Sequence, residues 1–146
     1  MAANTATDGL RRVLADTYAL YSKTHGYHWN VTGERFAQLH AMFAEQYTEL
    51  WNALDALAER IRSLGEFAPQ GFGSLTSLST IDGGIAEQPA QAMIADLLSG
   101  HEAVTNTLTA ALDAAEAAKD PVTVDLLTQR LAVHAKFAWM LRAMTE

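Results

Sequence analysis

Hydrophobic positions recur every three to four residues along four stretches of this chain, and no stretch alternates convincingly like a β-strand. At 100° per residue, the apolar side chains of the first two stretches fall on one face of a helix each. The pattern predicts helices over about residues 8–32, 35–64, 89–117 and 121–144. Thr7 or Asp8 is the expected N-cap of the first helix, and Gly65 is expected to close the second.

A long connection rich in Gly, Ser, Thr and Pro separates the second and third predicted helices, from residue 65 to 88. A short helix around residues 74–79 fits within it. Four helices joined in this way predict an all-α four-helix bundle with a crossover, forming one domain over residues 1–146. The fourth helix carries apolar residues on two nearly opposite sides. Because one chain covers only one of them, we expect an oligomer.

The composition and charge of the chain exclude several classes of function. The 146 residues include no cysteine, which excludes disulfides, thiolate metal sites and cysteine nucleophiles. The net charge of −7 argues against nucleic acid as a partner, because phosphate neutralisation needs clustered Lys and Arg. No apolar run approaches the roughly 20 residues of a membrane helix, and the N-terminus lacks the apolar core of a signal peptide. We therefore expect a cytoplasmic protein with no membrane contact.

One imidazole and two carboxylates line one edge of the second helix. His40, Asp55 and Glu59 lie within about 100° of one another on a helical projection, beside the apolar stripe. Asp55 and Glu59 are one turn apart, so they can grip one cation together, and this set of donors suits Fe, Mn or Zn. The alternative is a solvated acidic face with Arg60 and Arg62 as local partners.

Axial distance restricts how these residues combine. His40 and Asp55 are 15 residues apart, roughly 22 Å along a helix, so they cannot share a metal within one helix. Two copies of the helix crossing antiparallel near residues 48–50 bring His40 of one chain close to Asp55 and Glu59 of the other. Any metal site is thus predicted to lie between subunits. The Glu-x-x-His pairs of intrachain di-iron bundles do not occur in the sequence.

Three further histidines have explanations that do not involve a metal. His101 and His134 lie on or near apolar stripes, which favours core or interface positions over metal ligation. His25 lies one turn from His28. It is either a neighbour of the metal site or a residue without a functional role.

A motif in the first helix adds a specific similarity. His28-Trp29-Asn30 is followed two residues later by a glycine, a second histidine follows twelve residues after His28, and Asp-x-x-x-Glu occurs at positions 55 and 59. This pattern strongly resembles the Dps family of mini-ferritins, the DNA-protection-during-starvation proteins. The resemblance extends to residues 125–130 and 138–142, so it covers nearly the whole chain.

The resemblance implies a ferritin-like fold, a hollow dodecamer and an iron-storing function. It further implies oxidation of Fe(II), usually with hydrogen peroxide, at centres on two-fold dimer interfaces. By position, His28 and His40 correspond to ligands from one subunit and Asp55 and Glu59 to ligands from its partner. The residues expected close to the metal are Trp29, Trp51 and His25.

Ala44 departs from the family pattern, which places a carboxylate one turn after the second histidine. Glu45 lies about 100° further round the helix and is a poor substitute. One tight metal position and a weak or absent second are therefore expected, with His25 as an alternative compensating ligand. The competing interpretation is a degenerate centre in a cage that sequesters metal without efficient catalysis.

Two expectations concern charge. Direct DNA binding is not expected, because the terminal segments lack the Lys-rich tails of DNA-binding relatives, although a DNA-associated structural protein is kept as a further alternative. Acidic residues near the turn into the fourth helix are candidates for a pore that attracts Fe(II): Asp113, Glu116, Asp120 and Asp125. For Asp120, simple capping of the helix is the alternative.

Overall fold

The computed structural model describes residues 5–145, and these residues form five α-helices and no strand. The helices are α1 (Ala6–Asn30), α2 (Phe36–Ser63), α3 (Phe72–Leu78), α4 (Ala90–Ala117) and α5 (Pro121–Ala143). The four long helices form the bundle, and α3 lies within the crossover from α2 to α4. The predicted all-α, ferritin-like four-helix bundle with a short crossover helix is confirmed.

The observed helix ends differ from the predicted boundaries by at most two residues, and the capping residues explain the differences at α1. The N-cap of α1 is Thr5, whose hydroxyl accepts from the amide of Asp8 at 3.1 Å, so the expectation of Thr7 or Asp8 was wrong. Thr7 is instead buried in the first turn. The helix ends at Asn30 because Val31 is extended, with ψ 140°.

The C-terminus of α2 lies where Gly65 predicts it. Gly65 adopts φ +90°, a conformation that side chains with a Cβ rarely take. Its amide donates to the carbonyl of Arg62 at 3.0 Å, and the next amide, of Glu66, donates to Ile61 at 3.3 Å. These two bonds form a Schellman motif, which turns the chain into the crossover.

The crossover is fastened to the bundle by a buried carboxylate. Asp16 of α1 is fully buried and accepts hydrogen bonds from the hydroxyl of Ser79 at 3.0 Å and the amide of Thr80 at 2.7 Å. It also accepts from Thr107 of α4 at 2.6 Å. A second attachment joins Lys23 of α1 to Asp82 at 3.0 Å. The long connection therefore has two fixed partners on α1, and one of them, Asp16, is itself bonded to α4.

The core lies between the four long helices and contains one polar pair. His101 of α4 and His134 of α5 are fully buried, with their Nδ1 atoms 2.9 Å apart. On the outside of α5, Trp139 is 62% exposed and Val122 is also exposed. These two exposed side chains lie 17 residues apart on the helix, and the predicted oligomer stays a prediction. None of the described helices is long and apolar enough to cross a membrane.

Candidate metal centre

Two histidines meet where α1 ends and α2 begins. The rings of His28 and His40 are stacked, with centroids 3.7 Å apart and planes within 14°. The Nδ1 of each lies 2.7 Å from the backbone carbonyl of the other. Because a carbonyl can only accept, each Nδ1 must carry the proton, and each neutral imidazole keeps an unprotonated Nε2. Metal-binding histidines are typically held in this way, through the ring nitrogen that does not touch the metal.

The stacking also limits how the two rings share ions. The lone pair of an imidazole nitrogen lies in the plane of its ring, and these two planes are nearly parallel. The Nε2 atoms of His28 and His40 therefore do not converge on one ion at the usual distance of about 2.1 Å. If both imidazoles bind metal, each therefore serves a separate position.

Asp55 and Glu59 lie further along α2, and both are exposed. Within residues 5–145, neither carboxylate has a hydrogen bond or an ion pair. Arg60 instead donates to Asp120 at 2.9 Å and to Thr123 at 3.0 Å. Arg62 donates to a backbone carbonyl at 3.0 Å and covers an aromatic ring, so neither arginine is the local partner of the two acids.

One chain therefore presents the predicted ligands as two separate halves. The structure brings His28 and His40 together but keeps them apart from Asp55 and Glu59. Among the described residues, no group of three or more His, Asp or Glu side chains is placed to hold a metal ion. A centre with all four side chains requires a second copy of the chain, as the axial distance along α2 predicts.

The position one turn after His40 is partly buried and carries only a methyl group. Ala44 offers no ligand atom, and the neighbouring Glu45 is exposed on the next part of the helix surface. Because Ala44 follows His40 and not His28 on the same face of α2, the missing carboxylate affects the metal position at His40 most directly.

Aromatic side chains surround His25, the third histidine of this region. Its ring stacks on Tyr47 at 3.9 Å and lies 4.3 Å from the ring of Trp29. Its Nδ1 lies 2.9 Å from the hydroxyl oxygen of Tyr21. Burial lowers the pKa of His25, and the nearby His28 lowers it further. Burial likewise raises the pKa of Tyr21, so at neutral pH an uncharged phenol faces an uncharged imidazole.

Sequence reasoning included His25, Trp29 and Trp51 but missed Tyr21 and Tyr47. Both tryptophans are exposed, Trp29 by 65% and Trp51 by 54%, and Trp51 lies 5.0 Å from the ring of Tyr21. The spacing of Tyr21 and His25, and of Tyr47 and Trp51, at i and i+4 was the available signal. On periodicity alone, both tyrosines belong equally well to the core.

Two of the four candidate pore residues lie near the start of α5. Asp120 caps this helix by accepting from the amide of Thr123 at 3.1 Å, and it pairs with Arg60. These contacts account for Asp120 as a structural residue. Asp125 is exposed and accepts from the amide of Gln129 at 2.9 Å. The pore assignment of both residues stays a prediction.

Comparison with known proteins identifies the family of this chain. The ferritin-like domain family matches residues 7–146. The DNA protection during starvation protein of Brevibacillus brevis is 34% identical over 137 residues, spanning 94% of this chain and 92% of the relative. The chain belongs to the Dps family of ferritin-like proteins.

Solved structures agree with this Dps assignment. A Dps protein from Bacillus brevis superposes with a TM-score of 0.93 at 33% identity, covering 97% of this chain and 95% of the other. A Dps protein from Vibrio cholerae, described as a member of the ferritin-like diiron-carboxylate superfamily, superposes with a TM-score of 0.92. It is 29% identical, with 97% of this chain and 89% of the other covered.

Proposed function

We propose that this Dps-family chain forms an iron-storing cage that oxidises Fe(II) at metal centres shared between two subunits. The observation that carries the proposal is the reciprocal hydrogen bonding of His28 and His40. Each Nδ1 is fixed on a backbone carbonyl, so both Nε2 atoms are available to iron. Their family position and the diiron-carboxylate description of a similar structure support iron as the metal.

Asp55 and Glu59 of a partner subunit complete each centre in this proposal. They are exposed, one turn apart and without a local cation, which fits carboxylates that meet a ligand from outside the chain. A two-fold axis across α2 generates two equivalent centres per dimer. The carboxylates neutralise the charge of Fe(II), and the imidazoles hold it against the bundle.

The chemistry proposed is the oxidation of Fe(II), the substrate, by hydrogen peroxide. Two Fe(II) and one peroxide give two Fe(III) and two hydroxide ions. The ferric product is then stored inside a dodecamer, which protects a cytoplasm under oxidative stress. The acidic net charge of −7 per chain favours the entry of Fe(II), for which Asp125 and Asp120 are candidate pore residues.

Complementation between two inactive variants tests the shared centre. His28→Ala/His40→Ala removes one half of each site, and Asp55→Asn/Glu59→Gln removes the other. Each double variant alone is expected to lose Fe(II) binding and peroxide-driven oxidation in anaerobic titration and stopped-flow absorbance. Mixed oligomers reassembled from both variants regain activity, because each mixed dimer contains one intact centre and one empty centre.

A result with no recovery contradicts a centre shared between subunits, provided that mixed oligomers form. Native mass spectrometry of a mixture in which one double variant carries a mass tag shows whether mixed oligomers form. Retention of full activity by either double variant alone excludes the corresponding ligands.

Ala44 supports a second candidate function, a cage that sequesters metal without efficient turnover. Loss of a carboxylate beside His40 leaves that position with fewer anionic ligands than the position at His28. Tight binding of Fe(II) without rapid oxidation after a peroxide pulse favours this function over the ferroxidase. Release of bound iron on addition of a chelator separates simple sequestration from storage as mineral.

A further inference from the structure

A group of aromatic side chains lies between α1 and α2 beside the histidine pair, and Tyr21 is at its centre. The ring of Tyr21 lies 5.0 Å from Trp51 and 6.2 Å from Tyr47. His25 connects this group to the candidate metal centre, because its ring lies 3.9 Å from Tyr47 and 6.1 Å from His28. Short contacts thus run from the edge of the metal site to Tyr21.

Tyr21 also has a base in place for its proton. Its hydroxyl oxygen lies 2.9 Å from Nδ1 of His25. A phenol that loses one electron becomes a strong acid, and a hydrogen-bonded imidazole can take the proton in the same step. Among the described residues, neither Tyr18 nor Tyr47 has such a hydrogen-bonded base. Tyr21 is therefore the phenol of this group that loses an electron most readily.

We infer that Tyr21, with His25 as its proton acceptor, is a one-electron relay for the metal centre. The inference rests on the proposed oxidation of Fe(II) and answers a need created by Ala44. With one tight iron position, a single Fe(II) gives peroxide one electron, producing hydroxide and a hydroxyl radical. Tyr21 supplies the second electron and reduces that radical to hydroxide, while the phenolic proton moves to Nδ1 of His25.

The next Fe(II) closes the cycle. It reduces the tyrosyl radical, and His25 returns the proton to the phenolate oxygen. The sum is again two Fe(II) and one peroxide giving two Fe(III) and two hydroxide ions, with no radical released. In this role Nδ1 of His25 is the acceptor, so its proton is on Nε2, and His25 is a proton acceptor instead of a compensating metal ligand.

The first test needs no iron. Azide radicals oxidise tryptophan in the metal-free oligomer, and time-resolved absorbance follows transfer from the tryptophanyl to the tyrosyl radical. Tyr21→Phe is expected to lose this transfer, and His25→Phe, which keeps a ring on Tyr47, is expected to slow it. Tyr18→Phe is the matched control and retains it, because the ring of Tyr18 lies 6.0 Å from that of Tyr21 but outside the path from His28 through His25 and Tyr47. Equal transfer in wild type and Tyr21→Phe overturns the inference.

The second test adds one Fe(II) per chain and then peroxide, without oxygen. Freeze-quenched electron paramagnetic resonance detects the tyrosyl radical, and a spin trap detects released hydroxyl radical. Tyr21→Phe is expected to lose the tyrosyl signal and to release more hydroxyl radical, whereas Tyr18→Phe behaves like wild type. Circular dichroism confirms that each variant is folded.

The outcomes separate the relay from the proposed function. Equal release of hydroxyl radical from wild type and Tyr21→Phe, while peroxide is consumed, overturns the relay. If the metal-free protein transfers the radical through Tyr21 but the iron-loaded protein consumes no peroxide, Tyr21 remains the radical site, and the proposed oxidation of Fe(II) is refuted together with the relay that serves it.

Discussion

Ala44 is the single residue on which the capacity of the proposed centre depends most. His28 and His40 provide two separate Nε2 donors because their rings are nearly parallel. Only the position at His40 is next to the missing carboxylate. The two metal positions are thus unequal, and a carboxylate restored at position 44 is expected to make them alike.

Ala44→Asp is therefore expected to raise the Fe(II) stoichiometry from about one to about two per chain and to accelerate oxidation, as in two-metal sites. Anaerobic titration followed by a peroxide pulse measures both quantities. Ala135→Asp is a matched control, because it adds the same charge to an exposed position on α5 instead of α2. Unchanged stoichiometry and rate in Ala44→Asp contradict the account of unequal positions.

At this scale the sequence predicted residue types and spacing better than hydrogen bonds. His40, Asp55 and Glu59 follow from helical periodicity, and the separation along α2 already required two chains. The bonds that fix Nδ1 of both histidines could not be predicted, because they join the end of one helix to the start of the next. The bond from Tyr21 to His25 was missed for a different reason: its i,i+4 spacing is ordinary for core residues.

The helices themselves could largely be predicted, since hydrophobic positions recur every three to four residues in each long helix and Gly65 ends α2 where the sequence predicts. The position of the crossover on the bundle could not be predicted from the sequence. Asp16 contacts Ser79, Thr80 and Thr107, which lie 63 to 91 residues away in sequence. No local pattern marks an aspartate as the partner of a distant loop, and polarity alone favours a surface position for it.

The buried histidine pair between α4 and α5 makes the folding stability depend on pH. Burial, with a smaller contribution from Arg130, lowers the pKa of His101 to about 3. Burial, His101 and Arg130 together lower the pKa of His134 to about 2. Both imidazoles are therefore neutral in the folded chain, while in the unfolded chain they bind protons near pH 6.5.

Folding stability is expected to be fully supported by this pair above about pH 6.5 and to decline as the pH falls toward about 3. Each histidine contributes up to about 1.4 kcal/mol per pH unit, because only the unfolded chain takes up the proton. Urea unfolding across this range measures the slope. His101→Leu/His134→Leu is expected to have the shallower slope, and equal slopes contradict the assignment.

The charge of the whole molecule bears on its partners. A dodecamer carries a formal charge of about −84, twelve times the −7 of one chain. Four of the ten basic side chains are in ion pairs with acids: Arg11, Lys23, Arg60 and Arg130. The six basic side chains that remain are outnumbered by the 17 acidic side chains of the chain, so repulsion of phosphates dominates at a distance.

The assembled protein is accordingly expected not to retard duplex DNA in a gel at moderate salt. The same protein with a Lys-rich tail added to its N-terminus is the positive control, and salt should release DNA from it by displacing counterions. Arg11 does not change this expectation, because its guanidinium bonds Asp8 at 3.2 Å and Glu66 at 3.0 Å. Retardation by the unmodified protein that disappears on adding salt would show a basic surface formed only on assembly.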